Sequence, residues 1–280
     1  MRMRPLLHAR RSGDNVMGQA KMIRHPDAYP RAALVTGAAR RIGRAIALDL
    51  ARHGWAVAVH YNTSADDAAT VVSEIEAGGG RAIALAANLA NEAETATLLP
   101  RAGDALGPIG CLVNNASVFE SDSAVSATRE SWDQHMEPNL RAPFVLSQAF
   151  ARALPADAGG VVVNLLDQRV WNLTPYFVSY TISKAALWTL TRTLALALAP
   201  RIRVNGIGPG PTLPSARQTE AEFTRQFNMM PLGRGAAPEE ICAALRFILA
   251  VPSMTGQMIA LDGGQHLAWA QPDERRGHRE

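Results

Sequence analysis

The sequence predicts an α/β fold: a doubly wound, seven-stranded parallel sheet with helices on both faces. Three observations carry that expectation. Short, wholly apolar runs recur along the chain, as strands buried on both faces require. Helical patterns alternate with them. A glycine-bearing loop directly joins the first such run to a helix.

Ala32–Val35, after the break at Pro30, reads as the first strand. Thr36-Gly37 opens the loop, and Ile42–His53 has helical spacing. Trp55–His60 is the second strand. Ser64-Ala65-Asp66-Asp67 reads as a capping box opening a helix that Gly78-Gly79-Gly80 ends. Ala82–Ala86 is the third strand, Leu112-Val113 belongs to the fourth, and Val161–Leu166 is the fifth. Helical patterns over Asn139–Leu154 and Pro175–Ala199 flank the fifth. Arg203-Val204-Asn205 and Met258–Leu261 supply the last two strands.

The chain has 280 residues, 48% of them apolar, enough to bury one large core. No apolar run reaches the roughly 18–20 residues of a membrane span. Two cysteines, Cys111 and Cys242, cannot build a disulfide framework, and they suit a cytoplasmic setting. The seven histidines are scattered, so no metal is expected. Residues 1–31 carry seven basic and two acidic groups, a local +5 against +3 for the whole chain. The basic excess therefore lies in an arm. The expected division is a flexible arm over 1–30, one catalytic domain over 31–270 and a polar tail over 271–280. The pattern Ala185–Leu198 is apolar nearly all round, which asks for a second covering surface and predicts a homotetramer or another self-association.

The loop Thr36-Gly37-Ala38-Ala39-Arg40-Arg41-Ile42-Gly43 sits where a dinucleotide's phosphates meet a helix N-terminus. The second strand ends His60-Tyr61-Asn62-Thr63-Ser64 without a carboxylate. A 2′-phosphate is not repelled there, and Ser64, Asn62 and the loop arginines can donate to it, so NADP(H) is expected over NAD(H).

Tyr180 and Lys184 stand four apart on a helix, which puts them on one face. An ammonium beside a phenol favours the phenolate, making the pair a proton donor to a substrate that accepts hydride. Of 28 basic residues only Lys21 and Lys184 are lysines, so the single lysine of the domain asks for a reason that arginine cannot meet. Asp167 closes a buried strand at the end where open α/β sheets bind ligands. The lesser alternative is a helix cap or loop acid. Asn114-Asn115-Ala116-Ser117 ends the fourth strand in the same crevice, and Asn139 could hold a water or a carbonyl near Lys184.

Together, TGxxxRxG, NNAS, Asn139, YxxxK, the Asn205…Pro209-Gly210 turn and Thr255-Gly256-Gln257…Asp262-Gly263-Gly264 resemble the short-chain dehydrogenase/reductase superfamily over about residues 32–265. Three features resemble its pteridine reductase branch: Arg41 in place of the second loop glycine, Asp167 in place of a serine, and Ser117-Val118-Phe119 after Asn114-Asn115-Ala116. The resemblance implies a Rossmann-like fold and an NADPH-dependent reductase of a pterin or dihydropterin. It implies Tyr180 as proton donor, Asp167 as its partner, and Lys184 tuning the phenol and binding the nicotinamide ribose. Phe119 would stack on the pterin, and Arg41 and Ser117 would meet both cofactor and substrate. The implied cofactor surface runs over Gly37, Arg40, Arg41, Ile42, Gly43, His60, Tyr61, Asn62, Ser64, Asn88 and Leu89. It continues over Asn115, Ala116, Ser117, Tyr180, Lys184, Pro209 and Gly210. Asn88 replaces the usual aspartate, and Thr63 replaces a frequent arginine. The segment 211–231 is expected to form the substrate lid. The alternatives are a reductase of another carbonyl, such as a 3-oxoacyl or sugar ketone, and a non-catalytic protein whose arm meets nucleic acid.

Overall fold

The computed structural model describes residues 29–215 and 217–267. Apart from Tyr29 and Pro30, the basic arm lies outside the described residues, as does the polar tail. Seven strands form one sheet: β1 (Ala32–Val35), β2 (Ala56–Tyr61), β3 (Ala82–Ala86), β4 (Cys111–Asn114), β5 (Gly160–Leu165), β6 (Ile202–Pro209) and β7 (Met258–Leu261). Their order is β3-β2-β1-β4-β5-β6-β7, and every pairing is parallel. This is the Rossmann-like topology.

The strands read as apolar runs because both faces are covered. Alternate residues serve opposite cores, following the two-residue period of a strand. Ala33, Val35, Val113, Val161 and Val163 pack on one face with α1 (Arg41–Arg52), α2 (Ala65–Ala77) and α8 (Pro238–Ala250). Leu34, Leu112, Val162 and Val204 pack on the other with α3 (Glu92–Leu106), α5 (Ala142–Ala153) and α6 (Val178–Ala197). The strand order reverses between β1 and β4, and ligands bind in the crevice such a reversal opens.

Several boundaries differ from expectation for local reasons. Trp55 precedes β2 and is buried, with the Arg31 guanidinium 5.3 Å from its ring centroid. Ser64 stands at the N-cap of α2, but its side chain makes no capping bond; Asp66 and Asp67 supply the negative charge that the first turn favours. The helix expected over Asn139–Leu154 starts earlier. It comprises α4 (Arg129–Met136), a π-helical turn over Glu137–Arg141 and α5. Pro138 lies in that turn and has no N–H for a regular ladder. α3 was not expected, although Asn91 accepts from the backbone N–H groups of Ala93 and Glu94 as a cap. Within the segment 211–231, α7 (Glu220–Asn228) opens on a capping box between Thr219 and Glu222.

Candidate active site

β1 ends at the loop that leads into α1. Gly37 has φ +62°, and a Cβ on Gly43 would stand 2.1 Å from the Gly37 carbonyl oxygen, so only glycine fits that close approach. Thr36 and Asn115 lock the loop to the end of β4. Asn115 Nδ2 donates to the carbonyls of Thr36 (2.9 Å) and Gly37 (3.2 Å), and the Thr36 hydroxyl accepts from the N–H groups of Asn115 and Ala116. α1 has no side-chain cap and no acid in its first turn, which leaves its N-terminal N–H groups and positive dipole end available to an anion. These residues fit a dinucleotide's phosphates.

His60 is corrected from cofactor surface to buried strut. Its Nδ1 accepts from Gly37 N (3.0 Å), and its Nε2 donates to Ala87 O (3.1 Å). Burial lowers its pKa to about 4, so the ring stays neutral and holds the loop from beneath. Leu89 is likewise a core residue. Asn88 Oδ1 accepts from Ala90 N in a local turn. Arg40 is paired with Asp67, whose carboxylate reaches back from α2 to the loop. Tyr61 packs against the core, Asn62 is exposed and Ser64 is half-buried, all at the end of β2.

Arg41 departs from local preference. It has φ +55°, a left-handed conformation that costs a non-glycine residue roughly 1–2 kcal/mol. Its guanidinium reaches the segment 211–231, donating to the carbonyls of Pro214 (2.6 Å) and Leu213 (3.1 Å). The β1–α1 loop and the segment 211–231 are thereby tied together.

A cleft of about 300 Å³ opens at the carboxyl ends of the strands. It brings together Arg41, Ile42, Asn115, Ser117, Phe119 and Asp167 with Tyr180, Lys184, Pro209 and Gly210. Tyr180 donates its hydroxyl proton to Asp167 Oδ2 at 2.8 Å. The other carboxylate oxygen accepts from Arg169 N, so Asp167 both caps a short 3-10 turn and faces the phenol. Lys184 Nζ donates to Leu165 O at 2.7 Å and lies 5.8 Å from the Tyr180 ring centroid.

This geometry reverses the expected electrostatics of the phenol. Burial first, then the Asp167 charge and hydrogen bond, hold the Tyr180 pKa well above its usual value; Arg169 and Ser117 pull the other way without prevailing. Lys184 itself is lowered to about 8 by burial, against the opposing pull of Asp167. Tyr180 therefore keeps its proton at neutral pH.

Asn139 does not meet Lys184 through its side chain. It is fully buried, its Nδ2 donates to Val118 O (2.9 Å) and Ser183 Oγ (3.1 Å), and its Oδ1 accepts from Val118 N (2.8 Å). It positions the loop bearing Ser117 and Phe119 against the helix bearing Tyr180. Phe119 is not an open platform. Phe177 stacks on it at 4.3 Å and 14°, and Tyr180 meets it edge-on.

The sequence reading missed a second buried link. His135 Nε2 accepts from Glu120 N (2.9 Å), which puts the ring proton on Nδ1, 2.7 Å from Ser179 Oγ; that hydroxyl donates to Asp122. It fixes the residue before Tyr180. Arg169, Phe177 and Arg217 were also missed. Only Arg169, two residues from Asp167, carried a positional hint. Among the described residues no cluster of metal-ligating side chains exists, and no helix is long and apolar enough to cross a membrane.

The family profile described as short chain dehydrogenase matches residues 31–225. The chain belongs to the short chain dehydrogenase family. Its fold is similar to that of FolM alternative dihydrofolate reductase 1 from Brucella canis, solved with NADP. That match has TM-score 0.85 and 49% identity, over 89% of this chain and 99% of the other. The corresponding Brucella suis protein, also with NADP, gives TM-score 0.83 and 51% identity over 86% and 97%. A 3-oxoacyl-[acyl-carrier-protein] reductase from Synechocystis sp. is 35% identical over 83% of this chain and 95% of its own length.

Proposed function

We propose that this short chain dehydrogenase is an NADPH-dependent reductase of a pterin or dihydropterin, acting on a C=N bond. One observation carries the reading: the Tyr180 hydroxyl is paired with a carboxylate, Asp167, at the mouth of a cleft that Phe119 lines. The identity of about half with the two FolM proteins supports it. NADP(H) is the cofactor and supplies the hydride. The uncapped start of α1 and the Gly37–Gly43 loop bind its phosphates, and Lys184 lies within reach of its nicotinamide half. Tyr180 delivers a proton from Oη to the substrate nitrogen, and Asp167 relays one from solvent back to the phenolate that remains. Arg41 holds the lid over the bound ring, and Ser117 contacts cofactor and substrate together.

The exposed Leu196 and Ile182 on the outer face of α6 support self-association, in our reading a homotetramer. The buried free thiols Cys111 and Cys242 fit the reducing cytoplasm.

A second reading, reduction of a 3-oxoacyl thioester, is favoured by the Synechocystis relative. NADPH oxidation with dihydromonapterin, dihydrobiopterin and dihydrofolate decides between them. Turnover of a dihydropterin is the expected result. Turnover of a 3-oxoacyl thioester with none of the three removes the pterin reading.

A further inference from the structure

A second cavity, of about 490 Å³, adjoins the catalytic cleft. The two share the wall formed by Phe119, Arg169, Ser215, Gln218 and Gln226. Beyond that wall the chamber adds Phe177, Arg217 and Arg225, with Glu222 as its carboxylate. Three guanidinium groups thus face one space. Glu222 Oε2 accepts from the N–H (2.8 Å) and hydroxyl (2.9 Å) of Thr219, while the Arg225 charge also favours its ionised form. Arg217 is held by Phe119 O at 2.5 Å and by Glu120. Arg169 is held by Thr174 Oγ1 at 3.2 Å, and its Nε is 4.0 Å from Asp167.

The floor is aromatic. The stacked rings of Phe119 and Phe177 carry Arg169 at 5.4 and 4.8 Å from their centroids, and Arg217 lies 5.5 Å from the first. Of these cations only Arg169 also lines the catalytic cleft; Arg217 and Arg225 line the second chamber alone. A ring substituent long enough to cross the shared wall would meet them. Guanidinium forks pair best with carboxylate and phosphate.

We propose that this chamber is a subsite for an acidic arm attached to the substrate ring. The inference rests on the pterin reading above and deepens it. The ring occupies the catalytic cleft, the arm passes Phe119 and Gln226, and its anionic end sits between Arg217 and Arg225. Two sources share this chemistry: the carboxylates of an aminobenzoyl-glutamate arm, as in dihydrofolate, and a phosphate ester on a polyol arm.

The test compares kcat/KM for three dihydropterins: dihydromonapterin with a neutral polyol arm, its phosphate ester, and dihydrofolate. Wild type, Arg225→Gln and Arg217→Gln are measured with saturating NADPH. Arg225→Gln leaves the Arg217 bonds to Phe119 and Glu120 in place, so it is the cleaner probe. The expected result is that the acidic-to-neutral ratio falls about tenfold in each variant, mainly through KM. The ratio also falls in wild type as salt rises from about 50 to about 500 mM. Whichever acidic substrate shows the loss identifies the anion. A ratio unmoved in both variants, with all three dihydropterins still turned over, overturns the subsite and leaves the pterin reading standing. No turnover of any dihydropterin by wild type overturns both.

Discussion

Lys184→Met should make the protein more stable and inactive at the same time. Lys184 is only 2% exposed, and burial lowers its pKa from 10.5 to about 8. At 1.36 kcal/mol per pH unit, holding the ammonium in place at pH 7 costs the fold about 3 kcal/mol. Losing the bond to Leu165 O returns about 1 kcal/mol of that, so the variant should gain about 2 kcal/mol. The sign with pH follows from proton counting. The folded amine gives up its proton near pH 8 and the unfolded one near 10.5, so between these values the unfolded chain binds more protons and wild-type stability rises with pH. By pH 9.5 the advantage of methionine should shrink by about 2 kcal/mol, to near zero. Cys111 and Cys242, both pushed up to about 12, shift stability the opposite way, but they do so in both proteins and cancel. Urea denaturation at pH 7 and 9.5 without nucleotide, alongside NADPH oxidation, measures this. A variant less stable than wild type at pH 7, or a gap that ignores pH, would refute the reasoning.

Gly43→Ala forces a Cβ to 2.1 Å from Gly37 O and 2.5 Å from Asn115 Nδ2. Nucleotide fluorescence titration should show NADPH binding weakened about tenfold or more, with about 2 kcal/mol lost in stability. Asp167→Asn should lower dihydropterin turnover about a hundredfold with an unchanged circular dichroism spectrum; an unchanged kcat contradicts the role in proton return. Wild-type rates should fall above about pH 8 as Lys184 deprotonates. In Asp167→Asn that limb should move lower, because the carboxylate that favours the ammonium is gone. Arg41→Gly removes left-handed strain but also the tie to Leu213 and Pro214, so stability should change by less than about 1 kcal/mol while substrate KM rises several-fold. Asp167→Ser should raise NADP-dependent oxidation of a secondary alcohol relative to reduction; a wild type that already oxidises alcohols as fast as it reduces would count against the pairing argued below.

The sheet was legible because its strands are buried on both faces, and wholly apolar tetrads such as Ala32–Val35 have few other uses. Helices whose apolar stripes are interrupted, such as α3 with Pro100 inside it, were not. The candidate catalytic pair was legible through spacing: Tyr180 and Lys184 share a face because they are one helical turn apart. What spacing could not supply was environment. His60 lies next to cofactor-side positions in sequence, yet strand alternation turns it beneath the loop. The phenol's electrostatics depended on Asp167, thirteen residues away, and on burial, neither of which a YxxxK spacing contains. The Phe119–Phe177 stack and the arginines around it come from three separate loops, so no local pattern announced them.

The Asp167–Tyr180 pairing also bears on the direction of the chemistry. A base that removes a proton from an alcohol needs an accessible phenolate, and here burial and a carboxylate both disfavour that form. An acid that gives up its proton to a substrate already receiving hydride needs the opposite: a hydroxyl protonated at every physiological pH and a partner to restore the proton afterwards. Asp167 suits both needs: its negative charge keeps the phenol neutral, and its oxygen, 2.8 Å from the phenol's, could take a proton from solvent and pass it to the phenolate left after transfer. A serine at the same position could hydrogen-bond the phenol but would add no charge. The aspartate therefore favours the proton-donating, reductive direction that the proposed function requires, and Lys184, buried beside the phenol, keeps an amine next to that exchange.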